Sequence, residues 1–489
     1  MKSSKTFLYY TLGQAVNALL RFILIPYYSR VLSVEEFGQI GILWLIIPIL
    51  TILSGWGASV TVPVLYYKYS QKDRMVLINF SFINSIIIFM LIGLFFYFFY
   101  ANIELTLNFN ISRISYIDIV IIGFSAFFIE FFLGMFRITF KPKKYILFNT
   151  LYTICSITLI IFFIVYLKQG VNGFIQGTMY SNLLILLILC FDYFLEHYKN
   201  MWVPFQKNIA ISYYKLGLPV VIGFSFTYLI NYSGRYILKD ITNYTNVGLY
   251  TMGTRIGEVF NLFFVTSYMT SVNPVLLKSF SISQNEYKVE LKKYLNLFIL
   301  IAGLLFLFCN SFLSILFNYF IDLKYINSIR IVQITFFSYI IIGVGQMIGI
   351  TILAKEKIHV TTIFSIIAGI MNVVLNYLLV PRFEVFGTVI SSLFVYFFIF
   401  IVYLFYSNQL IAVKFEFSKI FLYFTIITII FIFQQISTFI FPGQLILDCL
   451  YKLIILFIGC MIILKMKIFA EIHIIQKILQ TQIQKVFRK

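Results

Sequence analysis

Residues 28–45 read Tyr-Ser-Arg-Val-Leu-Ser-Val-Glu-Glu-Phe-Gly-Gln-Ile-Gly-Ile-Leu-Trp-Leu, which closes one long apolar segment and opens the next. Residues 232–252 read Tyr-Ser-Gly-Arg-Tyr-Ile-Leu-Lys-Asp-Ile-Thr-Asn-Tyr-Thr-Asn-Val-Gly-Leu-Tyr-Thr-Met and follow the same plan. Each stretch has a polar helix end that contains Tyr-Ser and Arg, then a short polar loop, then an apolar residue before a glycine. That glycine is Gly38 in the first stretch and Gly248 in the second.

A second pair of strings supports an internal repeat. Gly170-Val-Asn-Gly173 precedes one apolar segment, and Glu384-Val-Phe-Gly387 precedes another at a similar offset. Short strings that contain glycine also match by chance, but two pairs with nearly one offset favour a true repeat. Two similar halves of a membrane protein indicate a transporter whose site lies between them.

The composition predicts a protein embedded in a bilayer. Hydrophobic residues make up 61% of the 489-residue chain and charged residues 11%, which is more apolar surface than a water-soluble core can bury. Apolar runs of about 18 residues or more are long enough to cross the hydrocarbon as helices. We predict an all-α polytopic membrane protein with about 14 transmembrane helices, at residues 6–31, 38–66, 76–100, 115–138, 145–167, 171–194, 212–238, 247–273, 294–317, 327–353, 358–380, 385–407, 418–440 and 445–466.

Basic residues set the predicted orientation. The formal net charge is +19, and alternate loops carry most of the lysines, which places both termini in the cytoplasm. The charge is spread over many short loops, so nucleic-acid binding is a poor interpretation. The tail at residues 467–489 repeats apolar residues every three to four positions, which predicts a basic amphipathic helix on the inner membrane surface. No cluster of histidine, cysteine and carboxylate has metal-ligand spacing, so no metal site is expected.

Ionisable residues inside the predicted spans are the candidate functional residues, because a charge at the bilayer centre costs roughly 2.5–3.5 kcal/mol. Arg21 lies in mid-span four residues after Asn17, and Arg255 shares a helix face with Glu258. Two arginines that face a cavity would attract an anion such as a diphosphate. We predict Arg21, Arg255 and Asn17 as substrate-binding residues, although a hydrogen bond to a neighbouring helix is the safer interpretation of Asn17. Glu258 and Glu130 are the predicted charge partners or coupling groups.

Three residues near helix ends are predicted gate or helix-end positions. Pro26 and Arg30 close the first span, and Arg235 lies near the outer end of the seventh. Proline removes a backbone donor and permits a bend, and Pro48 and Pro63 give the second span the same freedom. For Arg235, extension of its long side chain to the membrane interface is the favoured interpretation.

Three strings resemble the family of polysaccharide-export flippases. The stretch at residues 25–40 is similar to its N-terminal signature, in which a helix ends in a proline and an arginine-leucine pair, followed by an acidic pair and a Phe/Tyr-Gly step. Lys215-Leu-Gly-Leu-Pro219 resembles the opening of the family's second half. The segment 372–382, followed by Gly387, resembles its late asparagine–proline–arginine–glycine segment. Many members have an acidic residue where this chain has Gly234.

The resemblance implies the MATE-like fold of the multidrug/oligosaccharidyl-lipid/polysaccharide exporters, with two pseudo-symmetric six-helix lobes around a central cavity and two additional C-terminal helices. The expected divisions are an N-terminal lobe at 1–200, a C-terminal lobe at 201–410, two further helices at 411–466 and the tail at 467–489. The implied activity is flipping of an undecaprenyl-diphosphate-linked oligosaccharide, such as an O-antigen repeat unit. It would move from the inner to the outer leaflet of the bacterial inner membrane by alternating access. Arg21 and Arg255 match cationic cavity positions of relatives.

The expected partners are the lipid-linked oligosaccharide, membrane lipids and the polysaccharide polymerase or chain-length machinery. No cofactor is expected, and coupling to H⁺ or Na⁺ stays open. A cation-coupled multidrug exporter of the same fold is the main alternative, although an excess of arginine disfavours cationic substrates. A membrane polysaccharide polymerase is the alternative from the enzyme class. Such enzymes generally have one large external loop, and every loop predicted here is short.

Overall fold

The computed structural model describes residues 20, 22, 24–66, 69–107, 113–139, 141–197, 206–355 and 357–466. The regular structure within these ranges is helical. The helices are α1 at residues 24–31, α2 Val34–Gly55, α3 Ala58–Tyr66, α4 Gln71–Phe98, α5 Tyr100–Leu107, α6 Arg113–Ile138, α7 Pro142–Ile161, α8 Gly170–His197, α9 Lys207–Ile241, α10 Tyr244–Phe260, α11 Ser267–Ile282, α12 Gln284–Ile315, α13 Ser328–Ala354, α14 Ile358–Leu410, α15 Phe417–Ile440 and α16 Leu445–Met466. π-Helical turns extend α7, α10 and α12 at Phe162–Tyr166, Asn261–Thr266 and Leu316–Phe320.

Eleven helical segments of the described chain are long and apolar enough to cross a membrane. This confirms the prediction of an all-α, multi-pass membrane protein. The count of about 14 transmembrane helices stays a prediction, because the observed helices do not correspond one to one with the predicted spans. The clearest case is α14, which joins the predicted spans 358–380 and 385–407 across a kink at Glu384. The tail at 467–489 lies outside the described residues.

The chain divides into two compact units, each of which is described by itself. The first unit comprises Met1–Thr251 and Asn372–Val385, and the second comprises Met252–Met371 and Phe386–Lys489. Helix α10 therefore begins in the first unit and continues in the second. In the first unit, one face of α6 lies in an aromatic core that includes Phe127, Phe128, Phe131 and Phe132. The domain boundaries expected from the sequence stay predictions.

Two repeat-related positions of the first unit share a positive φ. Gly170 has a φ of 53°, and Glu384, its counterpart in the second string of the repeat, has a φ of 48°. Each position contacts a residue from the loop-to-helix junction of its own half. An added Cβ on Gly170 would lie 2.2 Å from Glu36 Oε1, and Asn246 Nδ2 donates a hydrogen bond of 3.3 Å to Glu384 Oε2. The two positions therefore share a positive φ, and the internal repeat stays a prediction.

The predicted second span is interrupted near its middle. Trp56 and Gly57 take left-handed conformations, with φ of 44° and 74°, and they separate α2 from α3. Pro48 lies inside α2 and Pro63 inside α3, so the helix breaks at neither proline of the span 38–66. Because glycine reaches positive φ at little steric cost, Gly57 accounts for the position of the break.

Candidate functional site

Two of the predicted site residues form an ion pair inside the second unit. Arg255 Nη1 donates to Glu258 Oε2 at 2.6 Å, and the two side chains are 24% and 27% exposed. They lie in α10, one turn before the π-helical turn Asn261–Thr266. A partly exposed ion pair in a membrane-spanning helix is stable only where water, protein or an ionic ligand faces it.

Glycines on the other side of α10 hold this helix close to α13. An added Cβ on Gly253 would lie 2.5 Å from Ile331 Cγ2, and one on Gly257 would lie 2.4 Å from Thr335 Cγ2. Residues four apart share a helix face, whereas positions 255 and 258 lie on the opposite face. The packing against α13 therefore directs the ion pair away from that helix.

Glu130 lies in α6 of the first unit and is exposed. The phenol of Tyr228 in α9 lies within electrostatic reach of this carboxylate. Hydrocarbon is a poor environment for an exposed carboxylate, so the side chain needs an aqueous or polar surrounding. Glu130 and Tyr228 together place a hydrogen-bond acceptor beside an aromatic ring.

Arg235 is buried in the first unit, with 1% of its surface exposed. Its guanidinium carbon lies 4.8 Å from the ring centre of Tyr232 and 5.9 Å from that of Tyr250. The ring of Tyr232 stacks on that of Tyr228 at 5.3 Å. The prediction that Arg235 extends to the membrane interface is therefore wrong. Its charge is enclosed by cation–π contacts with tyrosines from two helices.

The residues predicted near the N-terminus are only partly described. Arg21 and Asn17 lie outside the described residues, and their roles stay predictions. Pro26 lies in α1, where its carbonyl accepts a hydrogen bond of 2.7 Å from Ser29 Oγ. Arg30 is exposed near the end of α1. The gate roles of Pro26 and Arg30 stay predictions.

Sequence reasoning missed an ion pair in the last helix. Lys452 Nζ lies 2.8 Å from Asp448 Oδ2, and the two side chains are only 4% and 5% exposed. Lys452 also donates to Ser314 Oγ at 3.1 Å, and Ser437 donates to Asp448 Oδ1. The pair joins α16 to α12 and α15 inside the second unit.

Uncharged side chains continue from this pair toward α13. Gln434 Nε2 donates to the carbonyl oxygen of Lys452 at 3.1 Å, and its Oε1 accepts from Asn310 Nδ2 at 3.0 Å. Asn310 Oδ1 then accepts from Gln333 Nε2 at 2.7 Å. The chain of hydrogen bonds connects four helices, and its position deep in the unit indicates a structural role.

The chain resembles solved membrane transporters over most of its length. It is 14% identical to the lipid II flippase MurJ in an inward closed conformation, with 95% of this chain and 100% of that chain covered and a TM-score of 0.69. It is 15% identical to a multidrug resistance MATE family transporter of the MOP superfamily in an inward-facing conformation, with 80% and 94% covered and a TM-score of 0.66. It is 15% identical to a MOP superfamily transporter from Pyrococcus furiosus, with 82% of this chain and 93% of that chain covered and a TM-score of 0.58. These likenesses confirm the MATE-like fold expected from the sequence.

Sequence comparison adds a family. An uncharacterized membrane protein of Methanocaldococcus jannaschii is 22% identical over 295 residues, which is 56% of this chain and 56% of that protein. The chain thus matches little more than half the length of this relative. The family model described as "Polysaccharide biosynthesis protein" matches residues 3–280, which is more than half of the chain. This protein therefore belongs to the polysaccharide biosynthesis protein family.

Proposed function

We propose that this protein flips an undecaprenyl-diphosphate-linked oligosaccharide, such as an O-antigen repeat unit, from the cytoplasmic to the outer leaflet of the bacterial inner membrane. Transport proceeds by alternating access, with both termini in the cytoplasm and with H⁺ or Na⁺ as the coupling ion. The polysaccharide polymerase then receives the flipped lipid. The family match and the MurJ-like fold support a lipid-linked substrate, and the residues of α10 support the diphosphate.

The Arg255–Glu258 ion pair is the observation that carries the proposal. A guanidinium matches the oxygens of a diphosphate with two parallel hydrogen bonds. Glu258 holds the guanidinium while no anion is bound, and the diphosphate then replaces the carboxylate. The displaced carboxylate leaves Glu258 as the proposed coupling group beside the bound anion.

Glu130 and Tyr228 suit the sugar part of the substrate. A carboxylate accepts hydrogen bonds from sugar hydroxyls, and a tyrosine offers both an apolar ring face and a phenolic hydroxyl. Neither residue attracts the diphosphate.

Translocation of undecaprenyl-diphosphate oligosaccharide across proteoliposomes tests the proposal. Arg255→Ala should lower the rate about 10- to 100-fold, because a hydrogen bond to a charged group contributes about 1.5–3 kcal/mol. Arg255→Lys keeps the charge but loses the forked geometry of the guanidinium. Its transport rate should therefore fall between that of the wild type and that of Arg255→Ala. Arg330 is exposed at the start of α13, and Arg330→Ala serves as the matched control with a rate near that of the wild type.

Equal rates for the wild type and folded Arg255→Ala would overturn the assignment of the diphosphate to α10. Undecaprenyl phosphate bearing the same sugar should compete weakly, because it lacks one of the two phosphates. Arg21→Ala belongs in the same series as the second predicted cationic residue.

A cation-coupled multidrug exporter is the second candidate, because a MATE family transporter shares the fold at a TM-score of 0.66. In that case the wild type fails to flip the lipid, but the same vesicles exchange a cationic dye for protons. Arg255 would then act as the charge partner of Glu258, and Glu258→Gln would abolish the exchange of dye for protons.

A further inference from the structure

Helix α10, its π-helical turn and helix α11 form one continuous helical segment, Tyr244–Ile282, which is long enough to cross a membrane. Of the eleven such segments in the described chain, this one has the lowest mean hydropathy. Polar side chains within a membrane span are costly where they face hydrocarbon. The side of the segment that carries them therefore needs a polar surrounding.

Three exposed hydroxyl residues follow the π-helical turn on one side of α11. They are Ser267, Thr270 and Ser271, and we call them the hydroxyl stripe. Residues three and four positions apart share a helix face. Val272 and Leu276 lie on the opposite side of α11 and are buried. The stripe is thus the outward side of α11, and the whole of it belongs to the second unit.

Each hydroxyl of the stripe donates its proton to a backbone carbonyl of its own helical segment. Ser267 Oγ donates to the carbonyl oxygen of Leu262 at 2.9 Å. Thr270 Oγ1 donates to that of Thr266 at 2.7 Å. Ser271 Oγ donates to that of Ser267 at 2.9 Å. A hydroxyl has one proton to donate and two lone pairs that accept, so the stripe offers acceptors to a ligand that presents donors.

The π-helical turn brings the hydroxyl stripe to the side of α10 that carries Arg255 and Glu258. At about 100° per residue, an uninterrupted α-helix would place the stripe roughly 110° away from Arg255. A π-helical turn holds about one residue more than an α-helical turn, which removes most of this difference. The exposed Thr266 lies between the ion pair and the stripe. One polar side therefore continues from the ion pair into α11.

The polar side carries its charge at one end only. Between Glu258 and Lys278 the segment has no charged residue, and the stripe begins about 18 Å along the helix from Arg255. A ligand that lies along this side meets a guanidinium first and uncharged acceptors further on. A lipid diphosphate that bears several sugar rings has the matching order of groups.

We propose that the hydroxyl stripe binds uncharged sugar rings of the oligosaccharide, several rings away from the diphosphate. Sugar hydroxyls and acetamido N–H groups donate the hydrogen bonds that the stripe accepts. The inference rests on the proposed function and adds a binding site for the part of the substrate that is far from the lipid.

Labelling of single cysteines tests the surrounding of the stripe without any substrate. Ser271→Cys should react with a charged maleimide in lipid nanodiscs, because the reagent reaches only thiols in contact with water. The background lacks the native cysteines Cys155, Cys190, Cys309, Cys449 and Cys460. Equal rates for this variant and for the control described next would show that the stripe faces lipid, which would overturn the proposal.

Thr425→Cys is the matched control. Thr425 is exposed on α15 and donates to the carbonyl oxygen of Phe421 at 2.9 Å, as the hydroxyls of the stripe do within their own segment. Its exposed neighbours one turn away, Phe421 and Ile429, are apolar. This thiol should react at least about tenfold more slowly than that of Ser271→Cys, the factor for a difference of 1.4 kcal/mol in access to water.

Binding of two lipids to the purified protein tests the ligand. The variant Ser267→Ala/Thr270→Val/Ser271→Ala should bind undecaprenyl diphosphate bearing a neutral oligosaccharide about 10- to 100-fold more weakly than the wild type, the factor for two or three ordinary hydrogen bonds. Its affinity for undecaprenyl diphosphate without sugar should stay unchanged. Arg255→Ala should weaken the binding of both lipids. Thr425→Val should change neither.

The pattern of binding separates a failure of the inference from a failure of the proposed function. A folded triple variant that binds both lipids as the wild type does, or that loses affinity for both equally, would overturn the sugar assignment and leave the proposed function in place. A wild type that binds neither lipid would overturn the proposed function, and the sugar assignment with it. Replacement of Thr270→Val by Thr270→Ser in the triple variant should recover part of the lost affinity, because it restores one acceptor.

Discussion

At the residue scale, the most demanding charges of the second unit are Asp448 and Lys452. Two ions removed from water lose several kcal/mol each, and only their mutual attraction and additional hydrogen bonds offset this loss. Ser437 and Ser314 supply those hydrogen bonds from neighbouring helices. The ion pair therefore depends on the docking of α16 against α12 and α15.

Loss of one partner should be far more harmful than loss of both. Lys452→Met leaves the Asp448 carboxylate buried without its cation and should lower the free energy of unfolding by about 3–5 kcal/mol. The double variant Asp448→Leu/Lys452→Met should recover most of the loss, since no buried charge remains. Thermal unfolding of the purified variants in one detergent measures both effects.

A more exposed ion pair provides the comparison. Lys141 and Glu196 lie 2.6 Å apart with side chains that are 38% and 30% exposed, and Lys141→Met should change the stability by at most about 1 kcal/mol. Equal destabilisation by Lys452→Met and by the double variant would show that the packing of these side chains matters, and not their charge.

The sequence predicts which charged residues can pair within one helix, but not which of them are buried by other helices. The spacing of Asp448 and Lys452, four apart within the predicted span 445–466, is typical of an ion pair on one helix face. Their burial depends on serines from other helices, and a single helical pattern does not indicate such partners. The same holds for Arg235, because its burial depends on Tyr250 from α10. By contrast, the spacing of Arg255 and Glu258 was sufficient to predict their contact.

At the scale of the element, the interruption between α2 and α3 frees backbone groups in the middle of a span. Tyr213 in α9 donates its phenolic hydrogen to the carbonyl oxygen of Gly55 at 2.7 Å. An added Cβ on Gly217, one turn further along α9, would lie 2.6 Å from the carbonyl oxygen of Trp56. Helix α9 therefore both satisfies and covers the break, which a membrane requires of non-helical backbone.

Tyr213→Phe should destabilise the protein by about 1–3 kcal/mol, because it leaves a buried carbonyl without its donor. Tyr180→Phe is the control, since Tyr180 is 48% exposed on the surface of α8, and its effect should be small. Thermal unfolding compares the two variants. A loss of equal size in both would indicate a general effect of the hydroxyl group and not satisfaction of the break.

A second element-scale prediction concerns the position of the ion pair on α10. Gly257→Val places two methyl groups against Thr335 and should force α10 away from α13, with an overpacking cost of about 1–3 kcal/mol. Gly134→Val is the control, because an added Cβ there comes no closer than 3.9 Å to another residue. If Gly257→Val still folds but transports slowly, the spacing between α10 and α13 sets the position of Arg255. A normal transport rate would contradict that link.

At the scale of the whole molecule, the sequence predicts the architecture better than the ends of its helices. The apolar runs indicate an all-helical membrane protein, and the short glycine strings indicate two related halves. The join of two predicted spans in α14 and the break at Trp56 depend on backbone conformations at single residues. Glu384 shows the difficulty, because a glutamate with positive φ has no signal of its own. Only its repeat counterpart, Gly170, points to that conformation.

The two halves reach this shared conformation with different residues, which predicts opposite effects of matched substitutions. A non-glycine residue held at a strained positive φ loses roughly 1–3 kcal/mol. This strain applies to Glu384, with a φ of 48° and a ψ of −122°, but not to Gly170. Glu384→Gly relieves the strain and gives up one hydrogen bond of about 1 kcal/mol from Asn246. Its unfolding temperature should therefore stay close to that of the wild type or rise slightly.

Gly170→Ala introduces the strain that Glu384 already carries, and its new methyl group meets Glu36 Oε1, 2.2 Å from the Cβ position. Its unfolding temperature should fall clearly below that of Glu384→Gly, by an amount that corresponds to about 1–3 kcal/mol. Glu36 also caps α2 by accepting a hydrogen bond from the backbone nitrogen of Ser33, so the loss extends to the start of α2. If Glu384→Gly is as damaging as Gly170→Ala, the hydrogen bond from Asn246 outweighs the backbone strain, and the second half holds its junction by a different balance of forces from the first.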